Sequence, residues 1–305
     1  MGAVLTVADL RGDRRRLRRE RVVRRALAGA AAVSLVVSAL IVWTLVSKAV
    51  AFLAEVDPAD LWSGGWFPRR SEFDLRPLVT GTLLTSGIAM LVAAPLGLGA
   101  AVYLSEYAPP GVRRALKPAL EILAGIPSVV LGFFALNVVN PELVQRVFGD
   151  ADRQNLLAAG IGVGILCVPI VASISEDALR AVPRSLREAA YGLGSRRAAV
   201  SARVVVPAAV SGIVAAFVIA VSRAIGETLV VTLAAGASNG SALVLDPREP
   251  GLTMTAAMAT LVSGTDRVVG ATADSLYLVG ALLFAVTMTL NLVGQRFVRR
   301  VRHRY

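Results

Sequence analysis

Six apolar stretches, each long enough to cross a lipid bilayer as a helix, most constrain what this chain can fold into. A helix needs about 20 residues to cross the hydrocarbon core, and backbone groups in lipid must be hydrogen-bonded within their own segment. The short alternating stretches of an outer-membrane barrel do not occur in the sequence. We therefore predict an all-α, polytopic integral membrane protein with six transmembrane helices. The stretches cover residues 27–53, 78–104, 119–139, 155–175, 208–236 and 275–298.

The basic residues indicate which ends of these stretches face the cytoplasm. The net charge is +11, but every basic cluster adjoins an apolar stretch, which argues against nucleic-acid binding. With the N-terminus placed inside, 23 Lys and Arg residues fall in inner segments and seven in outer loops, while Lys48 and Arg223 lie within spans. This is the positive-inside pattern, and it predicts that both termini are cytoplasmic. We also expect the basic arm to contact anionic membrane lipid.

We predict two parts in the chain: a basic cytoplasmic N-terminal arm, residues 1–26, and a six-helix transmembrane domain, residues 27–305. The domain includes a polar cytoplasmic loop over residues 176–207. The arm, the first apolar run and the small residues at 49–51 together also resemble a signal peptide with a cleavage site. Because the run from 26 to 46 is longer than a usual signal-peptide core and five more spans follow, we favour an uncleaved first helix.

Glycine and proline occur close together in two of the predicted spans, at residues 95–97 and 125–127. Such positions are either flexible points in the helices or sites of close packing, which membrane helices commonly achieve with glycine. We favour packing at both positions.

The sequence offers no residues suited to catalysis or metal binding. The single Cys167 lies in the fourth span and the single His303 in the basic tail, so a zinc cluster or a nucleophile–His pair is not expected. A phosphate-binding P-loop needs Gly-Lys-Ser/Thr, whereas Lys48 precedes Ala and Lys117 precedes Pro. We predict a non-enzymatic chain without cofactor or metal, so that any ATP chemistry belongs to a partner chain.

The polar loop between the fourth and fifth spans has the signals of two short helices joined by a turn. Ser185 and Glu188 have the spacing of a capping box at a helix start. Gly192 or Gly194 can end that helix in a left-handed conformation, and Ser195 can cap a second helix. We predict a rigid elbow that offers small residues to a partner protein. The alternative is an ordinary amphipathic connector on the membrane surface.

The same loop contains Glu188-Ala189-Ala190, then Gly194 after three residues and Pro207 at the start of the next span. This pattern resembles the EAA loop of ABC-importer permeases. The resemblance implies a type I ABC importer permease fold, in which a separate ATPase contacts Glu188, Ala189, Ala190 and Gly194. It also implies that the chain itself hydrolyses no ATP.

Arg223 and Glu227 are two ionisable residues inside the fifth apolar stretch, one helical turn apart. Residues at this spacing can pair on one face of a helix. Charged residues inside a membrane are costly and commonly functional, so we interpret Arg223 as a site for an anionic solute and Glu227 as its holder. A transport site must also release its solute, and the carboxylate would limit how tightly the anion binds. The alternative is an ion pair that only joins helices.

Several segments are similar to the PstC-type permeases of phosphate-specific ABC transporters, from about residue 15 to the C-terminus. They are TGTLL at 80–84, YLSEYAPP at 103–110, LAGIPSVV at 123–130, SEDALRAVP at 175–183, SRAIGET at 222–228 and TMTAA at 253–257. The resemblance implies phosphate import across the plasma membrane of a prokaryote. It further implies a PstA-type sister permease, two PstB-type ATPases that bind ATP and magnesium, and an extracytoplasmic phosphate-binding protein.

The sequence departs from the family pattern at a few positions. Leu131 stands where the family often has Tyr, Val206 where the EAA pattern has Leu, and residues 258–264 match only loosely. Contact with the binding protein is therefore less clearly indicated than contact with the ATPase. Sulfate, molybdate and phosphonate remain alternative solutes. A secondary anion transporter is a further alternative, although its usual repeated halves with broken helices are not evident here.

Overall fold

The computed structural model describes residues 14–236, 240–263 and 270–301, and these residues form mainly helices. Residues 1–13 of the predicted arm, and His303, lie outside the described residues. In chain order the helices are α1 (Arg14–Glu55), α2 (Arg76–Tyr107), α3 (Pro110–Ala124), α4 (Ser128–Val147), α5 (Leu156–Arg180), α6 (Arg184–Gly192), α7 (Arg197–Ala208), α8 (Val210–Ile225), α9 (Leu229–Ala234), α10 (Met254–Ser263) and α11 (Ala271–Val301). Stretches of π-helix continue the α-helix within α2, α4 and α7.

Five of the described helices are long and apolar enough to cross a membrane: α1, α2, α4, α5 and α11. A sixth crossing is present if α7 and α8, which meet at a bend of 70°, are taken as one span. The predicted all-α polytopic fold is therefore confirmed. Four of the six predicted stretches correspond to single helices.

The other two predicted spans are wrong as single helices. The stretch at 119–139 is divided between α3 and α4, because Pro127 has no amide hydrogen to donate and disfavours helical geometry in the residue before it. The interpretation of 125–127 as a packing site within one helix is thus also wrong. The stretch at 208–236 is divided after Ile225, and α9 begins four residues later as a separate short helix.

The centre of the domain is the close contact between α2 and α5. A Cβ atom on Gly97 of α2 would lie 2.6 Å from the Cβ atom of Val171 on α5, so only glycine allows the two helices to approach this closely. Gly164 of α5 faces Val92 of α2 in the same way. Small residues let membrane helices pack closely where lipid provides no hydrophobic driving force between them. At residue 97 the glycine therefore serves packing.

Replacing Gly164 with Val is expected to destabilise the folded protein. The new Cβ atom would lie 2.8 Å from the Cβ atom of Val92 and 3.0 Å from the Ala89 carbonyl oxygen. Overpacking of this kind costs about 1–3 kcal/mol, which should lower the melting temperature of the detergent-solubilised protein. Gly87→Val is the matched control, since a Cβ atom there has no neighbour within 4 Å. Equal melting temperatures for the two variants would contradict the close α2–α5 contact.

A small hairpin covers one end of the bundle, opposite the α6–α7 loop. Its strands β1 (Trp66–Phe67) and β2 (Glu72–Phe73) pair antiparallel, and Trp66 exchanges backbone hydrogen bonds with Ser241. Trp66 is fully buried. Just after the hairpin, burial raises the pKa of Asp74, but hydrogen bonds from Arg76 outweigh it and hold the net pKa below its usual value. This end is therefore a folded cap rather than a set of loose connections.

Arg248 joins two connections at the capped end of the bundle. Its guanidinium contacts Asp150, in the α4–α5 connection, at 2.8 Å and Asp246, in its own loop, at 2.6 Å. The side-chain hydrogen bonds from Arg248 lower the pKa of Asp246 to about 2. The three side chains thus hold the loop that precedes α10 against the start of α5.

We expect Asp246 to stabilise the folded protein at neutral pH and to lose this effect only in strong acid. Its folded pKa of about 2 lies below the ordinary value of 3.8, so its contribution is complete above about pH 4 and disappears as the pH falls towards 2. The measurement is the melting-temperature difference between the wild type and Asp246→Asn as a function of pH. A difference that already vanished near pH 5 would contradict the depressed pKa.

Candidate translocation site and coupling loop

Arg223 and Glu227 lie where α8 ends and α9 begins. The Arg223 Nη1 atom is 2.8 Å from Glu227 Oε2, and Glu227 Oε1 accepts a hydrogen bond from the Val230 amide in the first turn of α9. The ion pair is electrostatic rather than a well-aligned hydrogen bond, because Oε2 accepts none from the described residues. The Glu227 side chain is 2% exposed and that of Arg223 43%. The buried Glu227 carboxylate therefore holds the Arg223 guanidinium in place while the arginine side chain stays partly exposed at the surface of this chain.

The pair lies near the middle of the bundle by depth, although Arg223 stands close to the end of its own helix. One turn before Arg223, the Ala220 carbonyl oxygen is 3.7 Å from the thiol of Cys167, which is near the midpoint of α5. Beyond the pair, Val230 would touch a Cβ atom on Gly162, nearer the start of α5. The guanidinium thus lies roughly halfway along α5, the most buried of the five long spans.

A guanidinium in this setting can bind a small oxyanion. Its planar N–H groups match two oxygens of a tetrahedral anion at once, and such contacts are stronger where water is scarce. The neighbouring carboxylate offsets the cost of placing an arginine at this depth. The Glu227 carboxylate also competes with the anion for the Arg223 guanidinium, so that a bound anion can be released.

Polar side chains from two other helices, which the sequence pattern does not single out, lie beside the pair. Thr255 of α10 donates a hydrogen bond to the Glu227 carbonyl oxygen at 2.7 Å, which fixes the break between α8 and α9. On the other side of Arg223, the hydroxyl of Ser222 is 3.2 Å from Asn291 of α11. Asn291 could have been noticed in the sequence, because it is a polar amide within the last apolar stretch. Thr255 is marked in the sequence only by its place in the TMTAA segment.

The α6–α7 loop forms the predicted elbow, but its two helices begin differently from the prediction. The prediction of side-chain caps is wrong, because α6 begins after Pro183 and α7 after Arg196, neither with a side-chain hydrogen bond. The turn itself agrees with the prediction: Gly194 is left-handed, with φ +75°. Its amide donates to the Tyr191 carbonyl and the Ser195 amide to the Ala190 carbonyl, which is the Schellman arrangement at a helix end.

The predicted coupling residues lie on or beside the exposed side of this elbow. Glu188, Ala189 and Gly194 are exposed and Ala190 is half-buried. Leu193, which is not among the predicted coupling residues, is 87% exposed at the tip of the elbow. An exposed leucine next to small residues forms an apolar surface that a partner protein can cover.

Two arginines attach the elbow to the end of α2. Arg187 of α6 contacts Glu106 at 3.0 Å and also donates to the backbone carbonyls of Leu179 and Val182. Arg197 of α7 donates to the Glu106 carbonyl oxygen and lies over the ring of Tyr107. Glu106 is buried, so these contacts hold the elbow against the end of α2.

Comparison with known proteins identifies the class. Residues 93–305 match the family model described as binding-protein-dependent transport system inner membrane component. The chain belongs to this family and, by its curated relatives, to the PstC-type permeases within it. It is therefore a multi-pass inner membrane component of a multi-protein transport system, and not a catalytic subunit. In the described residues, no three His, Cys, Asp or Glu side chains are grouped to hold a metal ion.

The relatives and solved structures agree with this assignment. The chain is 33% identical over 259 residues to the phosphate transport system permease protein PstC of Mesorhizobium japonicum, covering 79% of this chain and 78% of the relative. It is 34% identical over 247 residues to PstC 1 of Mycobacterium tuberculosis, covering 74% and 72%. A bacterial alginate ABC importer matches 93% of this chain and 99% of its own with a TM-score of 0.64. At 16% identity, that structure supports the fold alone.

Proposed function

We propose that this chain is the membrane-spanning permease of an ATP-driven importer that translocates inorganic phosphate into the cytoplasm. The observation that carries the proposal is the Arg223–Glu227 pair, in which a buried carboxylate presents a partly exposed guanidinium at mid-depth. A small oxyanion is the solute that this arrangement fits. The relatives at 33% and 34% identity, whose names specify phosphate transport, support phosphate among the oxyanions.

The proposed assembly contains a PstA-type sister permease, two PstB-type ATPases that bind ATP and magnesium, and an extracytoplasmic phosphate-binding protein. The exposed elbow supports an ATPase contact through Glu188, Ala189, Ala190 and Gly194. A structure of the same fold, with a TM-score of 0.62, contains an alginate transporter in complex with its ligand-bound periplasmic protein. That likeness supports an analogous encounter at the capped end of this bundle.

The proposed orientation places both termini and the elbow in the cytoplasm of a prokaryote. It rests on the excess of Lys and Arg in the inner segments, 23 against seven. Residues 1–26 then form the basic arm on the inner leaflet, and residues 27–305 form the permease domain with its coupling loop at 176–207.

The proposed mechanism follows from the site and the elbow. The binding protein delivers phosphate to the capped side of the two permeases, and ATP-driven closure of the ATPases displaces the elbows. Since Glu106 links the elbow to α2, that displacement moves α2 and α5, which pack closely, relative to α8. Arg223 then binds the anion while the passage between the two permeases is open to the outside. The Arg223–Glu227 ion pair forms again as the anion leaves towards the cytoplasm.

ATP-dependent uptake of radiolabelled phosphate tests this function directly. The chain would be reconstituted in liposomes with its sister permease, ATPase and binding protein, and excess sulfate or arsenate would be added as competitor. Uptake that requires ATP, resists sulfate and is inhibited by arsenate is the expected result. ATP-dependent uptake of sulfate, molybdate or a phosphonate in place of phosphate would keep the transporter class and overturn the solute. Uptake without ATP would overturn the importer in favour of a secondary transporter.

A further inference from the structure

A strongly basic pocket lies at the elbow end of the bundle, far from Arg223. It has a volume of about 220 Å³ and is lined by Ser105 and by four arginines. The arginines come from three different helices: Arg113 from α3, Arg180 from the end of α5, and Arg184 and Arg187 from the first turn of α6. The translocation mechanism uses none of these arginines to bind solute.

The pocket carries more positive charge than its own acids can neutralise. The buried carboxylate of Glu176 is shared by Arg113, Lys117 and Arg180, at 3.7, 3.1 and 3.6 Å, and Arg187 pairs with Glu106. The exposed carboxylate of Asp177 also contacts Lys117. Arg184 makes no ion pair with any described residue. Five cations against three carboxylates leave two positive charges at the pocket.

An apolar slot of about 260 Å³ adjoins the basic pocket between α3 and α5. Its walls include Leu120 and Ala124 of α3 and Pro169 and Ile170 of α5. The ion cluster lies between the two cavities, because Glu176 and Lys117 line the slot while the other partners of Glu176, Arg113 and Arg180, line the pocket. A single molecule with an anionic end and an apolar chain would therefore occupy both.

We propose that the pocket and slot together bind an anionic phospholipid of the inner leaflet. The phosphate group of the lipid binds in the basic pocket beside Arg180 and Arg184, where it neutralises the excess positive charge. One acyl chain of the lipid lies in the slot beside Leu120. Basic pockets between membrane helices on the cytoplasmic side are suited to acidic headgroups. The proposal rests on the orientation given under the proposed function, but not on phosphate being the solute.

Two features favour a lipid over free phosphate. The pocket opens at the end of α5, four residues beyond Glu176, where the positive-inside pattern places the inner membrane surface. Free phosphate would also make no use of the adjoining slot, whose accessible lining is mostly apolar. A lipid held between α3, α5 and α6 would join the broken third span to the coupling elbow.

Binding of phosphatidylglycerol to the purified, delipidated transporter tests the proposal. Native mass spectrometry would count the lipid retained by the assembled complex with wild-type chain and with Arg180→Gln/Arg184→Gln. The matched control is Arg114→Gln/Arg203→Gln, which removes two exposed arginines outside the pocket. We expect at least about tenfold weaker binding in the pocket variant and wild-type binding in the control. Phosphatidylcholine should bind weakly to all three.

Three results would overturn the lipid assignment. Equal loss of phosphatidylglycerol in pocket and control variants would mean that only net charge matters. Unchanged binding in the pocket variant would exclude these arginines. Radiolabelled inorganic phosphate that binds an Arg223→Gln complex, and is lost when Arg180 and Arg184 are also replaced, would assign the pocket to free phosphate instead. Because uptake is measured separately, failure here leaves the proposed import function intact.

Discussion

Replacing Arg223 with Gln is expected to reduce phosphate uptake by about 100-fold or more. The variant loses the charge that meets the anion at mid-depth, and a hydrogen bond to a charged group contributes about 1.5–3 kcal/mol. Two such bonds to one phosphate exceed the roughly 2.7 kcal/mol that corresponds to a 100-fold change. Initial rates of ATP-dependent uptake in proteoliposomes measure the effect. Uptake is compared per assembled complex recovered, so that a change in protein abundance does not enter the rate.

The single variant also leaves the buried Glu227 carboxylate without its cationic partner. Breaking a buried ion pair from one side costs about 3–5 kcal/mol when the remaining charge stays ionised. The double variant Arg223→Gln/Glu227→Gln removes both charges and keeps two polar side chains of similar shape. It should be at least as abundant in the membrane as the single variant, and still inactive.

The double variant separates the two roles of the pair. If Arg223 and Glu227 only join α8 to α9, the double variant should recover uptake together with stability. Recovery of stability without uptake assigns Arg223 to the phosphate path. Arg223→Lys provides a further comparison, because it keeps the charge but loses the planar set of donors; we expect partial uptake. A normal uptake rate in the single variant would remove Arg223 from the path altogether.

The sequence predicted the spans because the length and hydropathy of a membrane helix are local properties. It did not predict where the third and fifth spans are interrupted. Hydropathy continues across Pro127, although the missing amide hydrogen and the steric limits before proline end α3 there. The fifth stretch likewise remains apolar on both sides of Gly226, while the hydrogen bond from Thr255 to the Glu227 carbonyl depends on a residue 28 positions away.

The site residues were predictable to the extent that their partners lie nearby in sequence. Arg223 and Glu227 are one turn apart, and their contact follows from helical geometry. Gly194 could be predicted because a left-handed turn favours glycine. The link between Glu106 and Arg187 joins residues 81 positions apart, and the four arginines of the basic pocket come from three helices. Contacts of this kind arise only when the helices pack.

Replacing Gly194 with Pro is expected to impair transport without affecting the span that contains Arg223. Proline fixes φ near −65° and has no amide hydrogen, whereas Gly194 has φ +75° and donates to the Tyr191 carbonyl. The Schellman turn would be lost, and α6 would no longer meet α7 at the present angle. We expect uptake to fall at least about tenfold. Uptake, ATP hydrolysis and copurification of the ATPase would be measured on the same preparations.

Two further variants show whether the elbow acts through contact with the ATPase. Gly192→Ala is the control for glycine replacement, since a Cβ atom there has no neighbour within 4 Å and φ is not positive. Ala189→Trp keeps the turn but adds a large side chain on the exposed face, so it should displace the ATPase while the chain stays folded. Because Arg187 and Arg197 attach the elbow to α2, loss of the ATPase contact should lower uptake even where ATP hydrolysis continues. Normal ATPase copurification and coupled uptake in both Gly194→Pro and Ala189→Trp would contradict the coupling role of this loop.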